Sequence, residues 1–355
     1  MPLLKPKYRI IFWCVVFIVY AFFAARPVSE ETTINMKWLR SLESSYSTTQ
    51  EPRHLIPWRL GERFGYFSPE GEFSINQIKT GHVLLSPNRW MEFSGRPSQI
   101  EIKTAQGATE LVLENPEGYP FFADDEIYIM HSEQSAVSLL DKNGAARWRY
   151  DFASLVTVLD AAAGYTLAGL LDGSVELIDN EGRRVFFSEP SGSRLASVYG
   201  CVLSGNGDKM AIVSGRDDQR FVFIEDIGGT RRITYHEFLG DGFNRRVRMA
   251  FINGGRLVVF ERKGGVGIYD TVLRVSSIVR FEGQLLDIEE DGSEGLIFLL
   301  AEEAQNQKKL LVLDSRGKII VSAPFFSEKG YLEREGNALY IGGGGAIAAF
   351  DIDIH

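Results

Sequence analysis

The feature that most constrains this chain is a repeated unit: an apolar strand, then Asp-x-x-Gly, then a second strand. It is clearest where Val137 to Leu140 leads into Asp141-Lys142-Asn143-Gly144 and on to Tyr150. It returns at Asp179/Gly182, Asp226/Gly229 and Asp314/Gly317. Degenerate copies stand at Ser68/Gly71, Thr104/Gly107 and Asp270/Leu273, and a last acidic position at Asp351. The interval ranges from 36 residues (Ser68 to Thr104) to 47 (Asp179 to Asp226). The aspartate can accept hydrogen bonds from the backbone just ahead of it, and the glycine takes the left-handed position that closes the turn. A strand that is apolar on both faces needs a neighbour on each side. One unit cannot supply both, so the units must stack on one another. That period, with about four strands per unit, is the signature of β-propeller blades.

The blades read as His82–Glu114, Tyr119–Tyr150, Leu155–Ser188, Ala196–His236, Arg246–Val279 and Leu285–Ala323. The tail, Tyr331–Ile354, supplies only three strands. The early hairpin Phe64–Ile75 is expected to complete it, because mixing first and last strands in one blade removes an open edge. The expected fold is therefore all-β: a seven-bladed propeller over residues 62–355. Eight blades is the alternative count, with the early hairpin forming its own blade together with Leu55 to Leu60.

Residues 1–9 form a basic tail with Lys5, Lys7 and Arg9, and residues 10–25 are almost wholly apolar. A basic front before an apolar run reads as a secretory signal or a transmembrane signal anchor. The run is long for a signal-peptide core and slightly short for a full span. Phe22 and Phe23 spoil a small-x-small cleavage site, which favours an uncleaved anchor over a cleaved signal. The basic tail would stay in the cytoplasm. The expectation is a single pass through the cytoplasmic membrane, with the body on the extracytoplasmic (periplasmic) side. Residues 26–61 read as a helix and linker. Ser29 is a plausible N-cap with Glu30 and Glu31 in the first turn, and Ile34, Trp38, Leu42 and Tyr46 fall four apart. That predicts a short amphipathic helix over 29–46.

Net charge is −9, and residues 1–26 carry four basic and no acidic side chains, so the remainder is more acidic than the whole. Such a body lacks the clustered Lys and Arg that a nucleic-acid backbone requires. The two cysteines are Cys14, inside the apolar run, and Cys201, which reads as a buried inert thiol. Neither a disulfide framework nor a structural zinc site can be built from one body cysteine. His54, His82, His131, His236 and His355 are not at metal-ligand spacing. No G-x-S-x-G elbow is present. Gly342 to Gly345 lie between two apolar strands and read as a hairpin, not a phosphate loop. The acidic run around Asp287, Glu289, Glu290 and Asp291 reads as a solvated loop. No catalytic, cofactor-binding or metal-binding residue is nominated, and no cofactor is expected. The longest loop reads as Glu237–Arg246. Phe243, Arg245, Arg246 and Arg248 have the composition of an interface hot spot and are nominated as partner contacts. The alternative is arginines paired with neighbouring acids.

Several stretches resemble known propeller families. Asp172-Gly173-Ser174-Val175-Glu176-Leu177-Ile178-Asp179 resembles the core stretch of WD-repeat proteins. Leu139 to Trp148 resembles the turn of pyrroloquinoline-quinone-like propellers. Ser86 to Phe93 and Ser204 to Ile212 resemble the turn of periplasmic TolB-type propellers. The docking tryptophan of the second group occurs only at Trp148; Phe186, Ile233 and Val321 hold the equivalent positions. The vicinal cysteine pair of quinone-dependent alcohol dehydrogenases is missing. These resemblances imply a membrane-anchored bacterial propeller. With no catalytic constellation in view, the expected role is a non-catalytic interaction or scaffolding module of the cell envelope, whose partners are the membrane and other envelope proteins. The alternative is a binder or enzyme for a small ligand or glycan, working from the central channel.

Overall fold

A computed structural model describes residues 32–43, 54–190, 193–240, 242–289 and 295–354. The described residues form eight antiparallel sheets. Blade 1 holds β2 (Ile56–Leu60), β3 (Arg63–Phe67) and β4 (Phe73–Ile78). Blade 2 holds β5 (His82–Leu85) to β8 (Thr109–Glu114), and blade 3 β9 (Gly118–Ala123) to β12 (Ala146–Asp151). Blade 4 holds β13 (Val156–Ala162) to β16 (Arg184–Ser188), and blade 5 β17 (Val198–Leu203) to β20 (Thr230–Gly240). Blade 6 holds β21 (Met249–Ile252) to β24 (Val275–Arg280), and blade 7 β25 (Gln284–Ile288) to β28 (Ile319–Phe326). Blade 8 is composite. Its inner strands are β29 (Tyr331–Glu335), β30 (Ala338–Gly343) and β31 (Ala346–Ile354), and its outer strand is β1 (Thr32–Ser41) from the other end of the chain.

Two expectations are corrected here. The stretch predicted as an amphipathic helix over 29–46 is, where described, the strand β1, paired from Thr32↔Ile354 to Ser41↔Ala346 with a bulge between Met36 and Trp38. Once β1 completes the last blade, the early hairpin is free to form blade 1 with Ile56–Leu60. The count is therefore eight and not seven, and the propeller begins at β1 instead of residue 62. Among the described residues no helix is long and apolar enough to cross a membrane. The apolar run 10–25 lies outside them.

The core follows from strands that are buried on both faces. Eight apolar clusters occupy the eight junctions between neighbouring blades. Blades 6 and 7 meet through Val259, Ile268, Leu299 and Leu313, and blades 4 and 5 through Leu167, Leu177, Ile212 and Val222. Fully burying each such side chain contributes about 1.5–3 kcal/mol. The closing junction is aromatic. Trp38 of β1 packs on Phe67 of blade 1 and Tyr340 of blade 8, and its Nε1 donates to the Pro69 carbonyl at 2.9 Å. Gly71, at φ +82, lies flat against this indole; a Cβ there would come within 2.9 Å of the ring.

The repeated turn behaves as its chemistry requires. Asp141 Oδ1 accepts from the Asn143 and Ala145 amides, Asp179 Oδ1 from Glu181 and Arg183, and Asp314 Oδ1 from Arg316 and Lys318. Gly144, Gly182 and Gly317 all have φ near +80. Backbone amide donation holds the Asp141 carboxyl below its usual value. At Asp270 the turn survives without glycine because Arg274 takes the left-handed position one residue later, at φ +57.

Candidate functional site

The first strand of each blade faces the propeller axis, and β5–β9, β9–β13, β13–β17 and β17–β21 are in contact around it. The channel between them is pinched into two cavities that share Asp160 and Val202 as walls. One, of 890 Å³, opens among the turns between first and second strands, including Ser86, Asp125, Asn206 and Gly254. The other, of 580 Å³, opens where the chain passes from one blade to the next, among Arg245, Arg246, Arg248 and Gln284.

The larger mouth is acidic. Asp124 and Asp125 sit at the tip of the β9–β10 turn, both with positive φ. Asp125 is fixed by the Ser86 hydroxyl at 2.5 Å and the Asn88 amide at 2.8 Å, so blade 2 holds the turn of blade 3. Asp160, within β13, accepts from the Leu203 amide of blade 5 at 2.7 Å. Burial pushes its carboxyl up to about 6, and the nearby Asp124 charge adds to this.

The smaller mouth carries the nominated arginines. The structure divides the four nominated residues into two pairs. Phe243 and Arg245 are structural supports. Arg245 makes a two-pronged pair with the buried Glu261, at 2.7 and 2.9 Å, and its guanidinium lies 4.3 Å from the centre of the Phe243 ring. Phe243 is half-buried, not exposed as its loop position suggests. Its amide and carbonyl are both held by the buried Gln219 side chain at 3.3 Å. Arg246 and Arg248 instead line the cavity. Two residues apart, they flank the buried Val247, whose amide donates to the Tyr199 carbonyl. Arg246 Nε donates to the Thr157 carbonyl of blade 4 at 2.7 Å, and Arg248 Nε to the Leu285 carbonyl of blade 7 at 3.3 Å. Among the described residues, the terminal nitrogens of both guanidinium groups have no hydrogen-bond partner.

Asp287 stands in this cavity as well. It belongs to β25 and not to a solvated loop; residues 290–294 of the acidic run lie outside the described residues. Burial raises its carboxyl, and Arg248 opposes the shift. Asp160 escapes sequence reasoning because its neighbours in the chain carry no motif, and Asp287 reads there as part of a solvated loop. Cys201 is buried beside them, and desolvation pushes its thiol up and keeps it protonated. His131 is buried against the Ser138 hydroxyl at 2.8 Å, and His54 pairs with Glu335. Gly344 and Gly345 form the two-residue hairpin turn expected of them. Among the described residues, no group of three or more His, Cys, Asp or Glu side chains is placed to hold a metal ion.

A family model described as "beta-propeller protein" matches residues 3–354. The chain belongs to this family. A protein of Treponema pallidum (strain Nichols), described as an uncharacterized protein, is similar to this chain. It is 26% identical over an alignment of 313 residues that covers 85% of this beta-propeller protein and 82% of the relative. Among solved structures, BamB from Moraxella catarrhalis covers 90% of the chain and all of its own length at 15% identity, with a TM-score of 0.60. Sqt1 of Saccharomyces cerevisiae covers 91% of the chain and 99% of its own at 11% identity, with a TM-score of 0.62. At such identities the likeness speaks for the fold alone.

Proposed function

We propose that this beta-propeller protein is a membrane-tethered, extracytoplasmic interaction module of the cell envelope, with no catalytic role. The observation that carries the reading is the place of β1. Only residues 26–31 separate the apolar run from the strand that closes the ring, a reach of at most about 20 Å even when extended. β31 runs from its hairpin with β30 to Ile354, and β1 starts opposite that end. The tether would therefore join at the acidic face, leaving the arginine mouth and its 242–248 loop pointing away from the bilayer toward partners. A rigid ring with divergent inter-blade loops suits such a role, because loops on a fixed scaffold carry recognition.

The test is to express the full chain and separate membranes from soluble protein. The tether predicts that the protein stays with the membranes after a carbonate wash, and that protease added to intact spheroplasts digests the propeller. A propeller protected in spheroplasts but cleaved after lysis would overturn the extracytoplasmic placement. Mild crosslinking followed by detergent extraction should return a stoichiometric protein partner. Repeated recovery of the chain alone would overturn the interaction role.

A further inference from the structure

Arg246 and Arg248 are arranged as a site is arranged, not as surface charges are. Their Nε atoms are both committed to backbone carbonyls, one on blade 4 and one on blade 7, so the two guanidinium planes are braced from opposite sides of the channel mouth. Their stem is fixed as well: Val247 between them is buried and bonded to blade 5, and Arg245 before them is locked to Glu261. Bracing of this kind removes the rotamer entropy that a free arginine would lose on binding. What remains are unpartnered N–H donors facing a 580 Å³ cavity.

We propose that the arginine mouth of the channel is a binding site for a carboxylate, held by the terminal nitrogens of Arg246 and Arg248. This deepens the interaction reading given above by naming the chemistry that the outward face would recognise. A planar carboxylate matches the two-pronged donor pattern of a guanidinium. The rest of the wall selects against a group that carries two charges on one centre. Asp160 and Asp287 face the same space, and a phosphate dianion would meet both. A singly charged carboxylate meets less repulsion. Protonation of either acid, which burial favours in each, would remove it. The other ionisable groups packed here do not compete: Cys201 is held as the neutral thiol, Arg245 is neutralised by Glu261, and Asp124 lies at the far end of the channel. The carboxylate could belong to a small acid or to an acidic side chain or C-terminus of a protein partner.

The test is calorimetric titration of the full chain in detergent with three probes: succinate, inorganic phosphate, and a hexapeptide of glutamates with an amidated C-terminus. Wild type should bind succinate or the peptide, and bind phosphate at least tenfold more weakly. Affinity should rise between pH 7.5 and 5.5, since each probe keeps at least one charged carboxylate while Asp160 takes up its proton. Arg246→Met and Arg248→Met should each weaken binding by about tenfold or more, the cost of losing one charge-assisted, two-pronged contact. Arg232→Gln, an equal loss of charge far from the cavity, should leave it unchanged. Succinate alone binding identifies a small-molecule site, and the peptide alone a partner's acidic segment. No binding of either at millimolar concentration, or equal binding by the two methionine variants while their thermal unfolding matches wild type, overturns the proposal. The titration uses defined probes, so a chain that binds succinate yet captures no partner would overturn the interaction role and leave the carboxylate site standing.

Discussion

The two mouths of the channel share β13, β17 and β21 in their walls, yet they differ in kind. At the acidic mouth two of the three carboxylates, Asp125 and Asp160, are taken up by the fold. Asp125 is held by Ser86 and Asn88, and Asp160 by the Leu203 amide, so each stitches one blade to another. At the arginine mouth the fold uses Arg245 and the Nε atoms of Arg246 and Arg248, and leaves the donor ends of the latter two unused. The difference teaches that a charged lining is not by itself a recognition surface. What separates them is whether hydrogen-bonding capacity is left over after the scaffold has taken its share.

The comparison can be broken by substitution. The largest effect on stability is expected from Glu261→Ala, which strips the buried partner from Arg245 beneath the arginine mouth. The arginine side chain is 42% exposed and can rehydrate, so the loss should be about 2–3 kcal/mol, below that of a fully buried pair. Urea unfolding of the full chain measures it, and a loss below about 0.5 kcal/mol would mean that the pair is not a support. Next comes Asp160. Its folded pKa is raised, so the folded chain binds a proton there that the unfolded chain has already released. Stability should therefore fall by about 2 kcal/mol as pH rises from about 4 to 6, and level off above. Asp160→Asn should flatten that slope in unfolding curves taken across the range; an unchanged slope would assign it to other groups. The smallest effect is expected from Asp125→Ala. It frees the buried Ser86 hydroxyl and should cost about 1 kcal/mol, with no change in binding at the arginine mouth. A coupled loss of binding would show that the two mouths are not independent.

Much of the ring could be read before any coordinates. Blade 2 was bounded at His82 and Glu114, as found, and the next five blades lie within a few residues of their expected limits, because the Asp-x-x-Gly turn is a local device that marks the end of each third strand. The strand β1 escaped for a physical reason. Ile34, Trp38 and Leu42 stand four apart, a spacing that fits one face of a helix and is also open to a strand; in the structure the bulge between Met36 and Trp38 turns Ile34 toward blade 7 and Trp38 and Leu42 toward blade 1. Local sequence cannot choose between the two. The choice is made by the unpaired edge of β31, more than three hundred positions away in the chain. Miscounting the blades followed from that one assignment. The channel residues escaped differently. Asp160 and Asp287 sit on inner strands three blades apart, and only ring geometry brings them to one cavity. Arg246 and Arg248 were visible as a basic cluster, but what divides them from Arg245 is Glu261, which is remote in sequence and buried within blade 6.

The composite eighth blade also sets an order of events. β1 precedes every other strand of the ring in the chain, yet its partner is the last of them, ending at Ile354. Until β31 has emerged, β1 has no edge to pair with, and until β30 has, Trp38 has no Tyr340 to pack on. Sequential blades can collapse as they emerge, but the ring cannot close before the last strand arrives, and the longest loop closure in the chain comes last. The nascent chain would spend that interval with an exposed strand edge at each end of an open arc. Such edges invite pairing between chains. Truncation of the final ten residues should therefore harm solubility far more than their number suggests.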